Sequence, residues 1–309
     1  MPGTAVRQSV KGIPPSTQQT APMTAHQTSW RRCPAVPRYL GIVLILFFSL
    51  IDPVLAQRTA VKAGDQNAAD LLRATAKALG RPAVAPRSLA LFGQITTTPL
   101  VGMPQSRNLE IRILLPDKYL RIVQDDTTIE YSGFASDVLL NHLEVLAPNT
   151  HAAASYPPNQ LATEHARFAR LLLGLFAAAS PTFPLTASSP RPGTECMGSA
   201  CLEVTGPDGF SCTIEMAADS HLPLCIRYEA TVRMPPATPV VPGTSGQGTL
   251  PPPERAAIAI TFEKWQRDNG ALLPHRILTK ARGTVLEDIT ISRALLNPRL
   301  TARDFDTHK

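Results

Sequence analysis

The sequence predicts an α+β fold dominated by antiparallel strands, on three observations. Residues 109–133 (LEIRILLPDKYLRIVQDDTTIEYSG) alternate apolar and polar side chains between short turns. Residues 160–179 carry apolar side chains at helical spacing. Near the C-terminus the chain repeats strand, turn and strand, with Asp268-Asn269-Gly270 as a hairpin signal because Asn-Gly tolerates positive φ. Strands follow strands, so roughly ten strands and two helices form an antiparallel arrangement rather than βαβ units.

Not all 309 residues are expected to join that fold. Residues 39–51 carry no charge and follow Arg31, Arg32 and Arg38, and Val54-Leu55-Ala56 supplies a cleavage point. That order is a secretory signal peptide, cut after Ala56. The run falls short of the ~20 apolar residues a spanning helix needs. An uncleaved anchor over residues 39–55 is the alternative. Met23 offers an alternative start. Arg31-Arg32 fits a twin-arginine signal except that Cys33-Pro34 follows, and no cysteine stands at the cleavage point to take a lipid. The domain reading is therefore 1–56, an extension and signal peptide, then 57–309, one domain with a Pro-rich insert at 234–253. The destination is the periplasm.

Of the net charge of +6, +4 belongs to residues 1–56. What remains is nearly balanced and gives no basic patch for nucleic acid. Cys196, Cys201, Cys212 and Cys225 follow the leader, an even number in an oxidising compartment. Cys196 and Cys201 flank a short loop that can bring them together as a disulfide. Cys212 and Cys225 face each other only in a register one residue away from the one their apolar neighbours prefer. Four unpaired thiols are the alternative.

Residues 57–65 read as a loose terminus. Ala68, Leu71, Leu72, Thr75, Ala76 and Leu79 share a helix face that Gly80 and Pro82 end. Residues 88–97 read as the first strand and 98–105 as a loop. Leu109, Ile111, Ile113 and Leu115 form one row, stopped by Pro116-Asp117. Leu120 and Ile122 resume the alternation around Arg121, Asp125-Asp126 turns, and residues 128–131 form another strand. Residues 136–147 admit a short helix capped by Asp137 or a strand. Residues 148–159 are a loop.

The helix at 160–179 carries Leu161, His165, Phe168, Leu172, Leu175 and Phe176, and from Phe168 it is apolar nearly all round. Such a helix expects burial on several sides. Residues 180–194 read as a loop. Strands follow at 200–205, 210–216 and 222–232, and the proline-rich insert comes next. The last strands cover 258–263, 272–280 and 285–293, with Arg282-Gly283 as a turn and Phe305 as a terminal anchor.

Several of these landmarks occur in an order that resembles a known superfamily. They are the N-terminal amphipathic helix, the hinge Leu115-Pro116-Asp117-Lys118-Tyr119-Leu120-Arg121, the step Ser220-His221-Leu222-Pro223-Leu224, the hairpin Asp268-Asn269-Gly270-Ala271-Leu272-Leu273-Pro274-His275-Arg276, and Asn297-Pro298 with Phe305. Together they resemble the LolA-like outer-membrane lipoprotein-carrier superfamily, including its uncharacterised periplasmic members, over about residues 66–306 without the insert. The resemblance implies a curved, unclosed antiparallel sheet with helices over its concave face. It implies an apolar cavity between them for lipid or acyl chains. The lipoprotein carriers have an arginine before the hinge proline, where this chain has Leu115.

No H-E-x-x-H, G-x-S-x-G or phosphate loop is present, and the histidines have no ligand spacing. His165 reads as a core or surface histidine, Asp125-Asp126 as turn residues, and Trp265 as a surface aromatic that can mark a partner face. The expectation is a non-enzymatic, monomeric exported protein without cofactor or metal. Its partner is an apolar ligand or lipoprotein, with peripheral membrane contact. Leu109, Ile111, Ile113, Phe168, Leu172, Phe176, Ile258, Ile260 and Phe262 are the candidate cavity walls. A periplasmic structural or regulatory interaction module with a filled core is the alternative.

Overall fold

The computed structural model describes residues 61–80, 86–100, 103–146, 160–191, 194, 196, 200–235 and 251–307. The expected leader, the whole 148–159 loop and most of the Pro-rich insert lie outside the described residues.

The first element is a two-residue strand, β1 (Lys62–Ala63), followed by helix α1 (Gln66–Ala78). Asp65 caps α1 by accepting from the Ala68 N–H at 2.8 Å, satisfying one of the helix's orphan donors. The same carboxylate accepts from the Ser189 N–H at 2.7 Å, tying the helix to a distant strand. α1 ends at Gly80 (φ 61), and the Leu79 carbonyl accepts from the Leu272 N–H at 2.9 Å.

Four strands follow: β2 (Ser88–Thr97), β3 (Gln105–Leu114), β4 (Lys118–Gln124) and β5 (Thr128–Ala135). Residues 136–147, which admitted two readings, form the short strands β6 (Val138–Leu139) and β7 (His142–Val145), both paired with β5. Helix α2 spans Gln160–Phe176. Beyond it come β8 (Thr186–Ser188), β9 (Ala200–Thr205), β10 (Ser211–Met216) and β11 (Pro223–Val232). The chain closes with β12 (Glu254–Asp268), β13 (Ala271–Ala281) and β14 (Thr284–Leu296). Asn269 (φ 50) and Gly270 (φ 89) make the β12–β13 turn in the left-handed region their side chains allow.

One sheet holds all fourteen strands, in the order β1-β8-β9-β10-β11-β12-β13-β14-β2-β3-β4-β5-β6, with β7 also on β5. It is unclosed, ending at β1 and at β6. Every pairing is antiparallel except β1 with β8. The count corrects the expected ten. The terminus read as loose contributes β1, with Val61 buried, and the 180–194 loop contributes β8. Two- and three-residue strands carry no alternation of their own, and only their pairing defines them.

Register sets the two faces. Ile113 pairs with Leu89 and Tyr119, Ile111 with Leu91 and Arg121, and Leu109 with Gly93 and Val123. Tyr119, Arg121 and Val123 therefore share the face of the Leu109/Ile111/Ile113 row. Leu120 and Ile122, expected inside, face the other way. Leu120 is still only 1% exposed, because the 3-10 turn carrying Phe305 packs against β4 on that side. Phe305 is itself 2% exposed, as a terminal anchor should be.

Trp265 is half-buried, packed on the core 6.5 Å from the Phe262 ring. It is not the surface aromatic expected from the flanking charges. Lys264 (φ 55) interrupts the period-two alternation just before it.

Candidate functional site

Helix α2 is positioned over the concave face by aromatic packing. Phe168 lies 5.6 Å from the Tyr119 ring and 5.4 Å from Phe134. His165 stands edge-on to Phe134 at 4.2 Å, a packing contact rather than a ligand arrangement. Farther along, Gly174 faces the Phe262 ring so closely that a Cβ there would overlap it. Glycine is required at that position by proximity, at a cost in helix propensity. After α2, the Ser180 and Thr182 hydroxyls both donate to the Pro116 carbonyl, joining the helix exit to the β3–β4 hinge.

The expected wall residues take these places. Leu109, Ile111 and Ile113 are 1–4% exposed on β3, and Phe168, Leu172 and Phe176 are buried on α2. Phe262 is buried and Ile260 partly buried, both in the same core. Ile258 is buried at the far end of that row, paired with Tyr228 and Ala281. These side chains pack on one another and on their neighbours.

A set of charged residues absent from the expectations shares this face. Arg121 on β4 donates to Glu287 on β14 at 2.9 Å, with β2 and β3 between their strands. In a flat sheet side chains so far apart stand side by side, so the contact reports strong curvature. Arg107 pairs with Glu130 at 3.3 Å, and Arg167 on α2 pairs with Glu164 at 3.0 Å. The Arg170 guanidinium lies 3.7 Å from the Tyr228 ring centroid and 5.6 Å from that of Phe210. The Ser132 hydroxyl, opposite Arg121 on β5, is buried without a hydrogen-bond partner.

The electrostatics follow from depth. Burial acts most strongly on Glu287 and pushes its pKa up, but Arg121 and Arg167 outweigh it and hold the carboxyl below its usual range. Burial likewise opposes the Arg167 charge, and Glu164 and Glu287 overcome it, so Arg167 stays protonated. Burial raises Tyr119 to about 12 and Cys212 to about 12, so both are neutral. Yet 28% of the Glu287 side chain and 39% of Arg167 remain accessible.

The opposite face of β10–β12 carries a hollow of about 480 Å³. Ser211, Thr213, Arg227, Glu229, Arg255 and Ala257 line it, with Arg227 paired to Glu215 and Arg255 to Glu229. Cys212 and Tyr228 also border it, so its walls are part polar and part apolar.

Cys196 and Cys201 are joined, with Cα atoms 6.1 Å apart. Cys212 and Cys225 are buried free thiols. Cys225 pairs with Glu215, whereas Cys212 falls opposite Tyr228, so the two point to opposite faces. Among the described residues no group of His, Cys, Asp and Glu could hold a metal, and no helix is long and apolar enough to cross a membrane.

No family model matches the chain, and no curated protein does. Among solved structures it is similar to a LolA superfamily protein from Nitrosomonas europaea, at 13% identity and a TM-score of 0.45 over 77% of this chain and 96% of that one. It is also similar to a putative outer membrane lipoprotein-sorting protein domain from Vibrio parahaemolyticus, at 9% identity and a TM-score of 0.41 over 76% and 95% of the two chains.

Proposed function

We propose that this protein is an exported, non-catalytic binder of an apolar ligand, a lipid or the acyl chain of a lipoprotein, held between α2 and the concave face of the sheet. The observation that supports the reading is the accessibility of Arg167 and Glu287, 39% and 28%, although both belong to ion pairs on the concave side. Ile260 and Tyr228, both only partly buried against the core, offer apolar surface. Each side chain fully covered by a ligand contributes about 1.5–3 kcal/mol, so several must act together. The rows of Leu109, Ile111, Ile113 and Leu172 are already covered by protein. A long chain reaches them only when α2 moves aside.

That same covering favours a second reading, an interaction module whose core is filled and whose partner docks on a sheet edge. Titration of the exported protein with an apolar naphthylamine fluorophore separates the two. Saturable enhancement, competed by long-chain lipid, supports the binder. Absence of enhancement, together with a ligand-free purified protein, supports the module. Export to the periplasm with cleavage after Ala56 is part of the proposal, and N-terminal sequencing of the exported form tests it.

A further inference from the structure

We infer that the ligand is an amphiphile with an apolar chain and one anionic head group, and that the head group is held by Arg170. The inference rests on the interior being the binding site, as proposed above, and adds the ligand's charge.

The argument is one of charge matching. Three of the four arginines facing the concave side or carried into it by α2 have their own carboxylate: Arg107 has Glu130, Arg121 has Glu287 and Arg167 has Glu164. Arg170 has none among the described residues. Its guanidinium rests on the Tyr228 ring at 3.7 Å, with Phe210 at 5.6 Å, and its Nε is buried without a hydrogen-bond partner. Aromatic faces offset part of the lost hydration of a guanidinium but give its N–H groups nothing to donate to. A buried Nε–H with nothing to donate to is costly, and an anion that accepts from it removes that cost.

The surroundings select an amphiphile over a free small anion. Phe210, Tyr228 and the neutral Cys212 thiol offer a hydrated anion little to replace its water. An attached chain supplies the missing free energy by covering apolar surface. From Arg170 such a chain lies first on Tyr228 and Ile260, which are only partly buried, and reaches the covered Phe168, Leu172 and Phe262 only when α2 moves aside. A carboxylate and a phosphate monoester share the required chemistry.

The test is calorimetric titration of the full exported protein with dodecanoate, dodecyl phosphate, dodecan-1-ol and inorganic phosphate. The two anionic amphiphiles are expected to bind about 10-fold or more tightly than the alcohol, the usual advantage of a charge-assisted hydrogen bond. Millimolar inorganic phosphate should not displace them. Arg170→Met should remove that advantage, so that the anions bind no more tightly than dodecan-1-ol to the same variant, while Arg170→Lys keeps part of it. Equal affinity for alcohol and anions in the unaltered protein overturns the head-group inference and leaves the apolar site standing. Displacement by inorganic phosphate overturns it in favour of a free-anion site. Failure of all four to bind removes the proposed function along with it. The comparison within the unaltered protein decides the matter even if a variant fails to fold.

Discussion

Arg121 on β4 and Glu287 on β14 meet at 2.9 Å across the concave face, over the two strands that separate them. The pair clamps the curvature of the sheet. Removing one partner strands the other as a deep charge, which costs about 3 kcal/mol for comparable pairs. Arg121→Met is therefore expected to lower unfolding stability by about that amount in urea denaturation. Arg121→Met with Glu287→Leu should recover most of the loss. Additive losses in the double variant would show that the two charges do not interact.

The same pair makes stability depend on acid. The Glu287 carboxyl lies below its ordinary value of 4.5 in the folded protein. A carboxyl depressed on folding contributes stability that is complete above its unfolded pKa and lost as the pH falls through its folded one. The melting-temperature advantage of the unaltered protein over Glu287→Gln should hold steady down to about pH 5 and shrink below it. An advantage that widens on acidification would contradict the ion pair.

Gly174 on α2 lies directly against the Phe262 ring on β12. Gly→Ala inside a helix ordinarily gains about 1 kcal/mol. Here Gly174→Ala is expected to lose about 1–3 kcal/mol, because the new Cβ meets the Phe262 ring. Phe262→Leu added to it should return part of the loss, measured by thermal unfolding. A stabilised Gly174→Ala would place α2 farther from the sheet.

Phe305 closes the outer side of β4 at 2% exposure. Phe305→Ala should cost about 3–5 kcal/mol in chemical denaturation, as for other buried phenylalanines. Hydrogen exchange should rise in β4 around Leu120. An unchanged exchange rate there would show that the terminal turn is only loosely attached.

Legibility in the sequence tracked how far each signal reaches along the chain. Strand β2 and the β12–β13 hairpin were readable because alternation and Asn269-Gly270 act over a few residues. β1 was not, since its partner lies more than a hundred residues away, nor was β8, whose three residues are too few to show an alternation. Arg121 was misread for a different reason. Both faces of β4 are covered, one by the concave core and one by the Phe305 turn, so Tyr119/Arg121/Val123 and Leu120/Ile122 were equally fit to face inward. The interior charge cluster was illegible as a consequence, because its members lie on β3, β4, β5, β14 and α2 and meet only when the sheet curves. Trp265 was hidden by the positive φ of Lys264, which no residue type announces.

The most direct test of the apolar-ligand account is native mass spectrometry of the protein recovered from the periplasm. The account predicts a species heavier than the chain from Gln57 by the mass of one lipid, released on mild collisional activation. A ligand-free mass for the bulk of the folded protein, with no uptake of added long-chain lipid, would contradict it.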